Sequence, residues 1–334
     1  MPLKQLEPGD QFSGSFLLRT LTPREARNGA TFWDLELYDK SGRLQCRWFQ
    51  PPTLLPTPIP LPVHAEGFVE EFNGKKVGKI SVLVPLPEEK IIWEDLLPSS
   101  KRPFPELIND LKTRVAAIQD EWYKKLWELL LADESWFSKY CEAPAGKLWH
   151  HMYRGGLLEH SLCIADHCDL AAQHHELCDR DLLLSGALLH DVGKVWELSP
   201  LPSGDYTESG RLLGHIFMGT NFVSRKMETI EGFPTRHKVR LLHLLLSHQG
   251  TREKGSPIIP ATLEAIILHH SDELDAHAEA YEHIIEAQTG SERIFTDYVP
   301  LAGAHLYLGD RTRPDSPTSE EKVERDNLDA EYAV

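Results

Sequence analysis

The sequence predicts a multidomain α+β protein in which a small β-barrel precedes an all-α helical bundle. Between residues 10 and 90, short segments rich in Val, Phe, Trp and Thr partly alternate in hydrophobicity and are separated by turn signals, as β-strands are. From about residue 91, apolar residues recur every three or four positions, which is typical of amphipathic helices. Of the 17 histidines, only His64 precedes residue 150, and this asymmetry indicates that two different domains are joined.

Five segments account for the predicted barrel: FSGSFLLRT, TFWDLELYD, RLQCRWF, AEGFVEEF and KVGKISVLV. The dipeptide Asn73-Gly74 separates the last two and is the strongest hairpin signal in the chain, because it supplies the positive φ values of a type I′ turn. Strand number and length fit an oligonucleotide/oligosaccharide-binding (OB) fold, and a generic small β-barrel fits nearly as well. We assign residues 1–92 to this domain.

The stretch PPTLLPTPIPLP, residues 51–62, interrupts the predicted barrel domain. It holds six prolines in twelve positions, which excludes a central strand or a helix interior. Because strand-like segments lie on both sides, we interpret it as a proline-rich insertion. Its composition also suits docking to a partner protein.

The remainder of the chain is predicted to be helical up to its polar end. Residues 93–144 are predicted as a helical linker, and residues 145–305 as the helical domain. The segment 306–334 is polar and contains prolines, so we expect a tail without a packed core.

Composition points to a soluble cytoplasmic protein. The five cysteines form no CxxC pair and indicate reduced thiols, and no apolar run reaches the length of a membrane span. Residues 1–90 contain 11 basic and 11 acidic residues, whereas the rest contains 24 basic and 40 acidic ones and carries the whole net charge of −16. This distribution allows a nucleic-acid partner for the barrel without requiring one. Composition does not exclude a homo-oligomer.

Histidine and aspartate recur in the helical half where apolar helix faces meet helix ends. The separations are 30, 25, 33 and 24 residues, counted in turn between His160, His190, His215, His248 and Asp272. Each separation matches one helix plus its connection, so packed helices could each deliver a ligand to a shared site. The motif GALLHDVGK, residues 186–194, is the centre of this pattern, because a buried imidazole and carboxylate need a partner. The candidate metal ligands are His160, His190, Asp191, His215, His248 and Asp272.

Mixed imidazole and carboxylate donors suit one or two divalent ions, with Mn, Fe, Co, Ni or Zn favoured over Mg. Such an ion lowers the pKa of bound water and polarises a phosphoryl oxygen, which indicates phosphoester hydrolysis. Lys194 lies one helical turn from His190 and Asp191 and is positioned to meet a phosphate. Asp191 and Lys194 are therefore the predicted catalytic residues.

The series His160, His190-Asp191 and Asp272 resembles the H…HD…D signature of the HD superfamily of metal-dependent phosphohydrolases. With His215, His248, the sequence GGLLEHS and a preceding β-barrel, residues 10–300 resemble the YhaM-type 3′–5′ exoribonucleases, which join an OB-fold domain to an HD domain.

The resemblance implies that residues 145–305 are an HD domain and that the direction of degradation is 3′ to 5′. It makes His160, His190, Asp191 and Asp272 the ligands of a first ion. A second ion would lie between Asp191 and the pair His215 and His248. The sequence departs from some relatives at the second ion, because Gln249 follows His248 where they have a second histidine.

Further side chains are candidates for contacts with the substrate. Phosphate contacts are predicted for Lys194, Arg154, His151 and Arg211, whose basic side chains flank the ligand motifs. In the barrel, stacking of bases on aromatic rings and contacts of lysines with the phosphate backbone are predicted for Phe32, Trp33, Trp48, Lys75 and Lys76. Because adjacent strand residues face opposite sides, about half of these aromatic rings must be core.

The preferred hypothesis is a metal-dependent 3′–5′ exonuclease that converts single-stranded RNA to nucleoside monophosphates, with single-stranded DNA as a second candidate substrate. The first alternative is an HD phosphohydrolase of nucleotides or cyclic nucleotides, because the ligand motifs alone do not specify a polymer. The second is a non-catalytic nucleic-acid-binding module whose metal site is structural.

Overall fold

The structure is a computed structural model of the chain. Most of the proline-rich insertion and most of the predicted tail lie outside the described residues; residues 61 and 62 of the first begin a strand, and residues 306 and 307 of the second end one. The chain divides into two compact units, Met1–Glu273 and Leu274–Val334. The structure describes residues 2–25, 29, 31–49, 59–97, 100, 102–146, 153–201, 203–286, 288 and 293–309.

The first five strands close into a barrel with the order β1-β2-β3-β5-β4. The pair β3 and β5 is parallel, and the other neighbouring pairs, including β1 with β4, are antiparallel. This closed five-stranded barrel confirms the predicted OB-like domain. The strands are β1 (Gln11–Glu25), β2 (Thr31–Asp39), β3 (Gly42–Trp48), β4 (Leu61–Phe72) and β5 (Lys75–Pro85).

Alternation along the strands builds the barrel core. In β3, Leu44, Cys46 and Trp48 point inward, whereas the residues between them are exposed or half-buried. The hairpin between β4 and β5 turns at Asn73 and Gly74, whose φ angles of 52° and 72° are those of a type I′ turn. The Asn-Gly signal in the sequence therefore predicts this turn correctly.

Most of the helices that follow the barrel share one hydrophobic core. Within the segment predicted as a linker, 93–144, Leu111 and Trp127 join the same core as Leu158, Leu188 and Leu244, so residues 104–142 belong to the helical body. Leu96, near the start of that segment, packs instead with Leu17 of the barrel. Among the described helices, none is both long and apolar enough to cross a membrane. The helices are α1 (Trp93–Leu96), α2 (Phe104–Ala116), α3 (Glu121–Ala132), α4 (Glu134–Glu142), α5 (Gly156–His174), α6 (Arg180–Leu189), α7 (Lys194–Glu197), α8 (Glu208–Glu228), α9 (Thr235–Ser247) and α10 (Leu263–Glu286).

The second compact unit contains a β-hairpin that the prediction of an all-α region missed. Strands β6 (Phe295–Val299) and β7 (Ala304–Tyr307) pair antiparallel. They are five and four residues long and mostly exposed, so they carry too little alternation to be recognised from the sequence.

Candidate metal centre and nucleic-acid surface

The structure brings the six predicted metal ligands together. His160 lies in the second turn of α5, and Asp272 lies in α10. Of the six side chains, His215 is half-buried, and the other five are buried. Two of the histidines occupy equivalent places, because His190 is the C-cap of α6 and His248 is the C-cap of α9.

Close contact between α7 and α8 places His215. Helix α8 breaks at Gly214, whose φ is 73°, one residue before His215. A Cβ atom on Gly193 would lie 1.9 Å from the backbone oxygen of His215 and 2.7 Å from the backbone nitrogen of Gly219. The glycine of the motif GALLHDVGK therefore lets the two backbones meet, which explains its place after His190 and Asp191.

Asp191 lies between two groups of imidazoles. Its Oδ2 faces the Nε2 atoms of His190 at 3.3 Å and His160 at 3.6 Å. Its Oδ1 faces the Nε2 atoms of His215 at 3.3 Å and His248 at 3.6 Å. One carboxylate thus presents one oxygen to each group.

Asp272 completes the first group. Its Oδ1 lies 3.3 Å from Nε2 of His160 and 3.8 Å from Nε2 of His190. In each of two triads, the potential ligand atoms lie within 4.8 Å of one another; the first is His160, His190 and Asp272, and the second is Asp191, His215 and His248.

The two C-cap histidines are oriented by the backbone of their own helices. Nδ1 of His190 donates to the carbonyl oxygen of Ala187 at 2.8 Å, and Nδ1 of His248 donates to that of Leu245 at 2.8 Å. Because a carbonyl oxygen only accepts, each Nδ1 carries a proton, and Nε2 is the ring nitrogen that faces the cluster. This is the orientation that a metal-binding histidine needs.

Glu197 orients His215 and was not found by sequence reasoning. Its Oε1 accepts from Nδ1 of His215 at 3.0 Å and from the backbone N–H of His215 at 3.0 Å. Glu197 is 8% exposed, and although burial acts to raise its pKa, the contacts with His215 hold that pKa below its usual value. The sequence signal is an acidic residue in the turn after the HD motif, and only the fold shows which histidine it meets.

The polar atoms at the centre need a cation. Within the part of the chain that the structure describes, the Nε2 atoms of His190, His215 and His248 and Oδ1 of Asp191 are buried without a hydrogen-bond partner. Lone pairs of this kind are costly to bury unless they are paired. A divalent ion that accepts nitrogen and oxygen donors fits this donor set.

The surroundings of the cluster keep the carboxylates of Asp191 and Asp272 ionised, because they lower the pKa of both. Burial opposes ionisation, but Lys194 and His190 hold the pKa of Asp191 well below its usual range. Burial likewise acts to raise the pKa of Asp272, and hydrogen bonding to His160 lowers it overall. Burial lowers the pKa of His248, so its ring is kept neutral and able to donate a lone pair.

Of the four residues predicted to contact phosphate, the structure brings Lys194 to the cluster and leaves two arginines exposed. Lys194 is buried, with Nζ 2.5 Å from Oδ2 of Asp191, so it reaches the cluster. Arg154 is exposed and pairs with Glu142, and Arg211 is exposed and lies over the ring of Tyr206. His151 lies outside the described residues.

The structure of the barrel changes which aromatic rings can stack on bases. Trp48 is 4% exposed and belongs to the barrel core, so the prediction that its ring stacks on a base is wrong. Trp33 is half-buried and packs against that core, and its stacking on a base stays a prediction. The alternation turns their neighbours outward instead. Phe32 stacks on the exposed Phe49 with 5.4 Å between ring centroids.

Two cations extend this pair into a larger surface. Arg47 lies 5.6 Å from the ring centroid of Phe32 and 4.0 Å from that of Phe72. Lys79 lies 5.5 Å from the ring centroid of Phe49 and 5.6 Å from that of Phe68. We call the following set the aromatic face: Phe32, Arg47, Phe49, Phe68, Phe72 and Lys79.

The two predicted lysines lie beside this face with different partners. Lys75 is exposed at the start of β5. Lys76 donates to the backbone oxygen of Leu6 at 3.0 Å and to Glu7 at 2.6 Å, so it fastens the N-terminal segment to the barrel. The structural role of Lys76 leaves Arg47 and Lys79 as the cations among the rings.

Comparison with known proteins agrees with this architecture. The HD domain family matches residues 157–277, the range that contains all six candidate ligands, so the helical part contains an HD domain, which follows the β-barrel. The chain belongs to the family of YhaM 3′–5′ exoribonucleases. The Bacillus subtilis 3′–5′ exoribonuclease YhaM is 30% identical over 298 residues, covering 86% of this chain and 93% of that protein. The Bacillus velezensis YhaM is 31% identical over 295 residues with the same coverage.

A solved structure also matches part of the chain. The second OB-fold domain of replication protein A from Methanococcus maripaludis covers 28% of this chain and 97% of that domain, at 11% identity and a TM-score of 0.23.

Proposed function

We propose that the protein is a metal-dependent 3′–5′ exonuclease that hydrolyses single-stranded RNA to nucleoside monophosphates. The observation that carries the proposal is Asp191, whose two oxygens face two separate groups of imidazoles. The direction and the preference for RNA follow the names of the relatives, which match over most of their length. The five cysteines are free thiols, which supports a cytoplasmic location.

The residues present would hold two ions, with Asp191 shared between them. One ion would be held by His160, His190 and Asp272, and the other by His215 and His248. The number of nitrogen donors favours Mn, Fe, Co, Ni or Zn over Mg. Such ions lower the pKa of the water they bind and stabilise the charge on a phosphoryl group.

The side chains around the cluster would position the scissile phosphate. Lys194 brings a buried positive charge to Asp191, where it can contact a phosphate oxygen. Glu197 fixes the ring of His215, and the carbonyl oxygens at the ends of α6 and α9 fix His190 and His248. The site is thus held in place before any substrate arrives.

The aromatic face would hold the bases upstream of the cut. Four phenylalanine rings with two cations among them can stack bases and follow a phosphate backbone without reading sequence. This surface favours a polymer over the alternative substrate, a mononucleotide.

The test uses a 5′-labelled single-stranded RNA of about twenty nucleotides, long enough to span a barrel site of roughly 4–16 nucleotides and still reach the cluster. Wild-type protein is incubated with Mn²⁺ beside Asp191→Asn and the matched control Asp166→Asn, whose side chain is exposed on α5. We expect a ladder that shortens from the 3′ end with wild type and control, and intact RNA with Asp191→Asn.

Each other outcome removes part of the proposal. Intact RNA together with phosphate release from nucleotides would assign the protein to the small-molecule phosphohydrolases. Cleavage by Asp191→Asn at the wild-type rate would show that the cluster is not the active site.

A further inference from the structure

A cavity of about 530 Å³ lies where the segment after the barrel meets α4 and α7. This volume falls within the range of about 300–1,000 Å³ that is usual for small-molecule sites. Leu97, on one wall, packs with Leu17 of the barrel, and Trp196, on another, packs against the helical core. The cavity therefore lies between the β-barrel and the helical core. Its walls include none of the six candidate metal ligands.

The walls of the cavity suit a ligand with an aromatic ring and a negative charge. Trp93 and Trp196 both line it, and the ring of Trp196 is supported by Phe222 at 4.8 Å between centroids. Indole rings of this kind are good platforms for a planar base.

Three charged side chains on the same walls leave a net positive charge. Arg154 pairs with Glu142 at 2.9 Å, and Lys139 adds one further cation. A nucleotide combines the planar ring and the phosphate that this lining would recognise.

Helix α7 separates the cavity from the candidate metal ligands. Its first residue, Lys194, contacts Asp191 at 2.5 Å, and its last, Glu197, contacts His215 at 3.0 Å. Between them lies Trp196, which lines the cavity. A ligand that packs on Trp196 therefore touches the opposite side of the single turn that holds two ligands in place.

We propose that this cavity is a nucleotide-binding site and that a bound nucleotide stabilises α7 behind the metal centre. The proposal rests on the proposed function, since an exonuclease meets nucleotides both as units of its substrate and as released product. The base and the phosphate are common to both sources.

The first experiment measures binding and location in the full-length protein. Calorimetry with AMP compares wild type with Lys139→Glu and with Lys124→Glu, an exposed lysine on α3 that does not line the cavity. Reversing a charge that contacts a phosphate should weaken AMP binding about tenfold or more. The control should bind AMP as wild type does.

Photolabelling with 8-azido-AMP then locates the base. Trypsin separates residues 91–101, which contain Trp93, from residues 195–211, which contain Trp196, and from residues 181–194, which contain the HD motif. We expect label in the first two peptides and slower hydrogen exchange of the backbone amides of α7 when AMP is bound. Label confined to residues 181–194, or AMP binding that Lys139→Glu leaves unchanged, would overturn the proposal.

A phosphorothioate RNA that resists cleavage distinguishes the two sources. If it prevents photolabelling, the cavity receives a nucleotide of the strand; if label persists while the RNA is bound, the cavity receives the mononucleotide. The 3′ ladder is recorded on the same preparation. RNA cleavage without label at Trp93 or Trp196 contradicts the cavity alone, whereas label without cleavage contradicts the exonuclease alone.

Discussion

At the residue scale, Glu197 shows how a side chain outside the ligand set controls a ligand. It fixes both the ring and the backbone of His215 through one carboxylate oxygen. We expect Glu197→Gln to lower the affinity for the ion at Asp191, His215 and His248 about 10–100-fold, the usual effect of losing such a partner. Calorimetric titration with Mn²⁺ would measure it as a loss confined to one of two binding steps.

The matched control is Glu208→Gln, an exposed residue in the first turn of α8. It should titrate like wild type. Equal weakening of both Mn²⁺ steps in Glu197→Gln would contradict a role through His215 alone.

In two pairs of adjacent aromatic residues in the barrel, the sequence alone does not show which member is buried. The sequence places Trp48 beside Phe49 and Phe32 beside Trp33, so one member of each pair must be core, but the pattern does not say which. Register decides it: Trp33 pairs with Trp48 across β2 and β3, and both turn inward. The sequence could predict that aromatic residues reach the surface and could not predict which ones.

At the scale of elements, the contact between α7 and α8 leaves no room for a side chain at Gly193. We expect Gly193→Ala to lower the melting temperature by several degrees, because a Cβ atom would meet the backbone of His215 at 1.9 Å and the two helices would have to separate. Thermal unfolding followed by circular dichroism measures the change.

Gly14→Ala provides the comparison, since a Cβ atom there meets nothing closer than 3.4 Å. It should change the melting temperature little. A Gly193→Ala protein as stable as Gly14→Ala would show that α7 and α8 can move apart freely, and the account of the glycine in the HD motif would be wrong.

The aromatic face depends on four strands, and its prediction belongs to that scale. Phe68 lies on β4 and contacts Lys79 of β5, so it should stack with a bound base. We expect Phe68→Ala to weaken RNA binding by about 1–3 kcal/mol, and fluorescence anisotropy with labelled RNA would measure it. Val84→Ala, also exposed in the barrel but outside the aromatic face, should have no effect; equal losses in both variants would contradict base stacking.

The spacing of the helices explains how much of the metal centre could be predicted. The six candidate ligands lie on five helices or helix ends, with His190 and Asp191 together at the end of α6, so local periodicity was enough to select them. Their division into two triads depends on how Asp191 is turned between α5, α6, α8 and α9. Phe68 and Phe72 were missed for the same reason, because β4 and β5 bring them beside β2 and β3 only in the closed barrel.

At the scale of the whole molecule, charge is divided unevenly between barrel and helices. Residues 1–90 are neutral, and the remainder carries the net charge of −16. RNA should therefore be held by few cations, chiefly Arg47 and Lys79. For the two phosphate contacts of the barrel alone, the logarithm of the binding constant should fall with the logarithm of salt concentration with a slope of about −1.4.

Anisotropy measured at several salt concentrations tests this expectation. A slope several times steeper would mean that many more basic side chains contact the strand than the aromatic face provides. Arg47→Ala should make the slope shallower, whereas Lys124→Ala should leave it as it is.

The ends of α6 and α9 have a consequence for how the protein handles its ions. The last carbonyl oxygens of a helix lack partners within it, and here His190 and His248 supply one by bonding to the third residue before them. Each imidazole is thereby oriented by a bond within its own helix, not by an ion. A chelator should then remove the ions and the activity while both rings stay in place, without unfolding the chain.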